Sequence, residues 1–266
     1  MIDDPILFEV VKNALISCSR EMSQALRRTA FSPNIKERRD CSCALFDSDG
    51  RLVAQSKDIP VHLGAMPMSV KACINRLDDE LLEGTMALVN DPYSGGSHLP
   101  DLTLVTPVYN SGERVAFAAN RAHHADIGGE SPGSMPGLST SIEEEGIRIQ
   151  PRIVGEKSHL QRESINDILK ATRTPDERLG DLSAQVAANN VGMTRLFEVA
   201  KTYGWDTLVQ TFSDLQHYSA DLMKHSLSEY CDTESRFIDY LESDGAGTWD
   251  IPISINIKIS EERVEI

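Results

Sequence analysis

The chain has 266 residues, 40% of them hydrophobic, enough for one large domain or two modest ones around a buried core. Its 41 acidic residues against 26 basic ones leave a net charge of −15; the mean field repels phosphate backbones and anionic lipid, which argues against nucleic-acid and membrane partners despite the small basic patch Lys36, Arg38 and Arg39. Five scattered cysteines describe no disulfide framework, no run nears the roughly 18 apolar residues of a bilayer span, and the acidic N-terminus lacks an apolar h-region, so a reducing cytoplasm is the simplest compartment.

Over residues 4–28, Ile6, Val10, Val11, Ala14, Leu15, Cys18, Met22, Ala25 and Leu26 recur at three- and four-residue steps behind Asp3 or Asp4 as N-cap and Pro5 near N1, which predicts a long amphipathic helix. The dense charged run Glu37, Arg38, Arg39, Asp40 follows and reads as a solvated loop or an internal ion-pair network. Cys41, Cys43 and Leu45 then alternate with Ser42, Ala44 and Phe46. With turn residues at 47–50 and a second run at 51–55, this predicts a β-hairpin. The Cys-x-Cys spacing favours small buried residues over metal ligands.

Residues 66–82 predict a second amphipathic helix stopped by Gly84, and 86–89 a short strand that runs into an irregular turn carrying Asp91, Pro92, Gly95 and Gly96. The runs 102–109 and 114–122, joined by Asn110-Ser111-Gly112, predict a second hairpin. Residues 131–151, rich in Gly, Pro and Ser and holding Glu143, Glu144 and Glu145, form either a mobile lid or an ordered wall. Helical periodicity occupies 165–171, 176–203 and 205–230, with Pro175 and Gly204 as breaks, as in a helical hairpin or three-helix layer. The end alternates Ile251, Ile253, Ile255, Ile257 and Ile259 around a Glu261-Glu262 turn. It stops in a strand, so the expectation is a longer protein or a pairing partner.

The predicted fold is therefore α/β, mixed α+β: β-hairpins and a sheet flanked by amphipathic helices. Its expected regions are 1–160 around the site, a helical stretch at 161–232, and the start of a β region at 233–266. There is no internal repeat, and Gly95-Gly96 lacks the lysine of a phosphate loop.

Chemistry concentrates in residues 90–129. Of only seven histidines, His98, His123 and His124 fall there, with Asp91, Asp101, Asp126 and Glu130 nearby. A His-x-x-Asp pair followed by a distant His is a three-ligand set with an open position, and its N/O donors suit zinc, manganese or iron. The cluster serves equally as a general-base site. His123 and His124 point to opposite faces of a strand, so at most one is a ligand; the other is a core residue satisfied by its surroundings.

The segments ERRDCSCALFD, IPVHLGAMP, NDPYSGGSHLPDLTLVTPV, AHHADIGG with the following PGS, and EEEGIRIQP occur in an order that resembles the hydantoinase B/oxoprolinase family. That resemblance implies a metal-dependent subunit of an ATP-coupled cyclic-amide hydrolase, opening a hydantoin or 5-oxoproline ring. It implies a hetero-oligomer with an actin-like, hydantoinase A-type subunit that binds the ATP and phosphorylates the substrate oxygen. Acetone and acetophenone carboxylase subunits are the alternative within enzymes, and a truncated, non-catalytic assembly subunit is the alternative outside them. By resemblance, manganese or a similar divalent metal falls on His98, Asp101 and His123. Glu37 lines up with a site-proximal glutamate, and Glu37, His124 and Asp126 become candidates for proton transfer or for orienting the ligands. His62 is a weaker candidate, as site wall or satisfied core residue. Three departures stand out: Ser97 where the family usually has threonine, Cys41 where it has a large apolar residue, and a chain considerably shorter than the family's.

Overall fold

A computed structural model of the chain describes residues 4–56, 58–230, 232–260 and 264–266. Asp3, Cys231 and the Glu261-Glu262 turn lie outside the described residues. Helix α1 (Pro5–Thr29) begins where expected, because the Asp4 carboxylate accepts the Ile6 and Leu7 amides at 2.9 and 3.3 Å and Pro5 occupies the first turn. It buries Val11, Leu15, Cys18, Met22 and Leu26 on one stripe. A single turn, α2 (Pro33–Lys36), leads through Arg39, whose φ of 60° reverses the chain, into the hairpin β1 (Cys41–Asp47) and β2 (Leu52–Gln55).

Helix α3 (Pro60–Leu77) starts six residues earlier than the sequence predicts. The apolar periodicity begins at Met66, whereas Pro60 opens the helix in its first turn and Pro67 lies inside it. Strand β3 (Met86–Val89) precedes the site turn, and the hairpin β4 (Asp101–Asn110) and β5 (Glu113–His123) follows it. Two strands escaped the sequence reading, the short and charged β6 (Arg152–Glu156) and β7 (His159–Leu160). Helices α4 (Asn166–Ala171), α5 (Pro175–Tyr203) and α6 (Trp205–Leu227) follow, α5 and α6 being divided at Gly204. Strands β8 (Thr233–Ser243), β9 (Trp249–Ile259) and β10 (Val264–Glu265) form a separate antiparallel sheet in the order β10-β9-β8.

The main sheet has seven antiparallel strands in the order β2-β1-β5-β4-β3-β6-β7. Its pleat sorts side chains between two helical layers. Cys41, Cys43, Leu45, Ala116, Ala118 and Ala122 pack with α1, α5 and α6. Ala44, Phe46, Val105, Phe117 and Ala119 pack with Met66, Val70, Cys73 and Leu77 of α3. The expected mixed α/β architecture is what the chain adopts. No helix among the described residues is long and apolar enough to cross a membrane.

Burial pushes the thiols of Cys18, Cys41 and Cys73 up to about 12. Cys43 is raised by burial as well, and all four are buried small residues, as the spacing predicts for Cys41 and Cys43. Helix α5 lacks a conventional apolar stripe because polar groups face the sheet. Asn189 donates to Leu104 O and Thr106 Oγ1, and Gln185 donates to Leu102 O and Asn120 Oδ1. Further along α5, a Cβ on Gly192 would lie 2.4 Å from Met22 Sδ of α1. Gly192→Val is expected to lower stability by about 1–3 kcal/mol through overpacking. In Gly192→Ala the propensity gain of about 1 kcal/mol offsets the crowding. Urea denaturation checks both, and a valine variant as stable as wild type would refute this close helix crossing.

Candidate metal centre

The turn after β3 is built to hold its far end still. Asn90, fully buried, donates to Leu99 O at 2.7 Å and Ile147 O at 3.0 Å, while its Oδ1 accepts the Ile149 amide at 2.6 Å. Asp91 caps the Tyr93 amide at 3.0 Å. Gly95 has φ +82°, and a Cβ there would sit 2.4 Å from the Met68 backbone; at Gly96 a Cβ would sit 2.2 Å from Asn90 O. Only this glycine pair lets the turn press between α3 and β3. The Asp101 amide then donates to His98 O at 3.1 Å, closing a loop that sets the two side chains side by side. Strand pairing completes the set, because Asp101 and His123 are direct cross-strand partners.

Asp101 is 3% exposed, and its two oxygens have different surroundings. Oδ1 lies 2.9 Å from His98 Nε2 and 3.3 Å from His123 Nδ1, yet it receives no hydrogen bond. Oδ2 accepts Ser97 Oγ at 2.7 Å and lies 3.3 Å from His62 Nε2. Burial alone would raise this carboxyl, but the imidazoles of His123, His62 and His98 hold it far below the ordinary carboxylate range. His98 shifts upward, chiefly through Asp101 and against its partial burial.

One donor atom each from His98, Asp101 and His123 lies within 4.8 Å of the others, the single such group among the described residues. Ligands held 2.0–2.2 Å from one ion sit roughly 3–3.5 Å apart, close to the separations here. An orphaned buried carboxylate oxygen between two imidazole nitrogens fits a divalent cation, and the half-exposed His98 leaves one side open.

Arg121 lies two residues before His123 on the same face of β5 and is fully buried. Its guanidinium donates to Thr103 Oγ1 at 2.8 Å, Ser69 Oγ at 2.7 Å, Gly95 O at 3.3 Å and Ser97 Oγ at 3.4 Å. It thus ties the glycine turn to α3 and places a positive charge behind Asp101. The sequence reading passed over Arg121, although a lone arginine in an apolar strand, in phase with a histidine, was the available signal. It also passed over Asp40 of the charged cluster. The Asp40 carbonyl accepts the His123 amide at 3.0 Å, and its carboxylate stands 3.9 Å from His123 Nδ1.

The other sequence candidates lie elsewhere. His124 faces the opposite layer, as the pleat requires, and its Nε2 donates to Gln185 Oε1 at 2.9 Å. Burial, with Arg178 nearby, pushes it down to about 4, so it is neutral at ordinary pH. The Asp126 carboxylate accepts the Gly128 amide at 2.9 Å and Arg173 Nη1 at 2.9 Å, a turn cap and an ion pair. Glu37 caps the short α2 and is exposed. No hydrogen bond or ion pair among the described residues joins these three to His98, Asp101 or His123. Residues 131–151 are tied back to the turn after β5: Ser134 Oγ donates to Gly128 O, and the Glu130 and Ile147 amides donate to Glu144 O and Ile127 O.

The family described as hydantoinase B/oxoprolinase matches residues 4–266. A 5-oxoprolinase from Dictyostelium discoideum is 45% identical over 205 residues, covering 77% of this chain and 16% of its own length. A 5-oxoprolinase 1 from Arabidopsis thaliana is 41% identical over 217 residues, covering 77% of this chain and 17% of its own. Among solved structures, an ATP-dependent caprolactamase from Pseudomonas jessenii superposes with a TM-score of 0.92 at 31% identity, over 99% of this chain and 46% of that one. A nucleotide-free acetone carboxylase shares the fold, with a TM-score of 0.87 at 18% identity over 98% of this chain and 37% of that one. The chain thus spans well under two thirds of each of these relatives. Arg121→Met is expected to cost about 3–5 kcal/mol in chemical denaturation, the range for a buried charge network that loses one member; a loss below about 1 kcal/mol would show that the guanidinium does not brace the turn.

Proposed function

This chain belongs to the hydantoinase B/oxoprolinase family, and we propose that it is the metal-dependent subunit of a cytoplasmic, ATP-coupled hydrolase of small cyclic amides such as a hydantoin or 5-oxoproline. The observation that carries the reading is the buried Asp101 Oδ1, free of hydrogen bonds and flanked by His98 Nε2 and His123 Nδ1. Manganese, zinc or iron held by these three residues would supply Lewis-acid polarisation of a substrate oxygen or activation of water. The relatives' names, 5-oxoprolinase and ATP-dependent caprolactamase, support a cyclic-amide substrate. ATP is assigned to a hydantoinase A-type partner subunit from the family resemblance, in keeping with the ATP-dependent caprolactamase among the similar structures.

Each residue of the chain has a defined task in this reading. His98 and His123 present ring nitrogens from a braced turn and a strand end, so the donors need little rearrangement to bind. Asp101 supplies the negative charge, and the buried Arg121 stands behind it as a fixed positive charge. Asp126 and His124 hold the frame, the first by fixing the turn after β5 and the second by fastening β5 to α5. Glu37, exposed on the segment that carries Asp40, is free to reach a substrate and is the candidate for proton transfer.

Elemental mass spectrometry of protein purified without chelator is expected to find about one divalent metal per chain, lost in His98→Ala and Asp101→Ala while the circular dichroism spectrum stays that of wild type. Metal retained in both variants would refute the assignment. Reconstituted with its ATP-binding partner, the wild-type chain should consume a cyclic amide only when ATP is present; consumption of bicarbonate with a ketone instead would replace the hydrolase by a carboxylase. Glu37→Gln should keep the metal and lower turnover, and unchanged kinetics would reduce Glu37 to a helix cap.

A further inference from the structure

His62 is 1% exposed and sits in the first turn of α3, on the layer that carries the metal centre. Its approach to the site is fixed from behind. The loop before α3 is fastened by Asp58, which accepts Ser23 Oγ at 2.6 Å, bonds Ser56 Oγ and lies 3.5 Å from the Arg27 guanidinium. Ser56 Oγ in turn donates to Cys43 O. The Ile59 amide donates to Ser42 Oγ at 3.3 Å, and the same hydroxyl lies 2.8 Å from His62 Nδ1. Because Ser42 Oγ accepts from Ile59, its own proton is available to His62 Nδ1. That choice leaves the imidazole proton on Nε2, aimed at Asp101 Oδ2 at 3.3 Å. The reverse tautomer would set the Nε2 lone pair against a carboxylate oxygen.

The consequence is a division of labour within one carboxylate. Oδ2 accepts Ser97 Oγ and has His62 Nε2 at 3.3 Å, whereas the neighbours of Oδ1 are the two ligand candidates, His98 Nε2 at 2.9 Å and His123 Nδ1 at 3.3 Å. Ser97 is exposed and sits on the turn, so His62 is the buried, rigid member of the pair. We propose that His62 is the positioning residue of the metal centre: by donating to Asp101 Oδ2 it commits Asp101 to ligation through Oδ1 alone, between His98 and His123. His62 lies outside the ligand group itself. Groups that orient metal ligands in this way typically change affinity by roughly 10–100-fold when removed.

This inference rests on the proposed metal reading, and titration calorimetry of the full chain with Mn2+, repeated with Zn2+, separates the two. His62→Ala is expected to bind roughly 10–100-fold more weakly than wild type, while His62→Gln, whose amide nitrogen can replace Nε2 as donor to Asp101, stays close to wild type. Ser42→Ala should weaken binding less than His62→Ala, since it releases the tautomer without removing the donor. Affinity unchanged in His62→Ala but lost in His98→Ala overturns this inference alone. A His62→Gln variant as weak as His62→Ala also overturns it, because the requirement is then for the imidazole itself. Should His62→Ala fail to fold, the glutamine variant decides by the same criterion. Wild-type protein that binds neither cation overturns the metal reading, and this inference with it.

Discussion

The register of one hairpin governs the site. Asp101 opposes His123, Thr103 opposes Arg121 and Val105 opposes Ala119, so every side chain of the metal centre that comes from a strand lies on the α3 face. A slip of one residue would turn Asp101 toward the opposite face and leave His123 without its partner. The turn at Ser111 and Gly112, both at positive φ, and an irregularity at Val108 and Tyr109 set where that pairing begins. Ten residues away from the turn, the pairing still places Asp101 against His123.

Both faces of β5 are pinned by polar side chains, which is unusual for a central strand. On the α3 side Arg121 reaches Thr103, Ser69, Gly95 and Ser97. On the α5 side Asn120 donates to Gln185 O and Asn189 Oδ1, and His124 donates to Gln185. Each buried polar group left without a partner costs about 1–3 kcal/mol, so these bonds restrain the helices to one seating on the sheet far more sharply than apolar contact would. A metal centre needs that restraint, since ligands displaced by an ångström lose the cation. Rigid elements supply it here: strand ends, a glycine turn braced by Asn90, and the first turn of a helix.

The donors belong to the β4–β5 hairpin and the turn before it, while the open side carries the half-exposed His98, with Asp40 3.9 Å from His123 Nδ1. The similarity in fold to an ATP-dependent caprolactamase and to an acetone carboxylase covers nearly all of this chain, so the frame is shared even at 18% identity.

Much of the framework was legible in the residues themselves. Caps, glycines and apolar periodicity marked α1, the two hairpins of the main sheet and the break between α5 and α6, because each of these depends on neighbours in sequence. The grouping of His98, Asp101 and His123 was legible too, since a hairpin returns the chain to its start, and strand pleating alone separated His123 from His124. Strands β6 and β7 were not legible, being short and charged, nor was the start of α3, which Pro60 sets six residues ahead of the apolar periodicity. The contrast between the Asp101 oxygens, the brace of Arg121, the approach of Asp40 and the seating of His62 came only with the folded chain. Sequence determined which donors existed and which face of a strand each would take. Tertiary packing decided which of them meet, because that choice depends on burial and hydrogen bonds between segments far apart in sequence, as between Asn120 and Gln185, 65 residues apart, or Ser32 and Asp181, 149 apart.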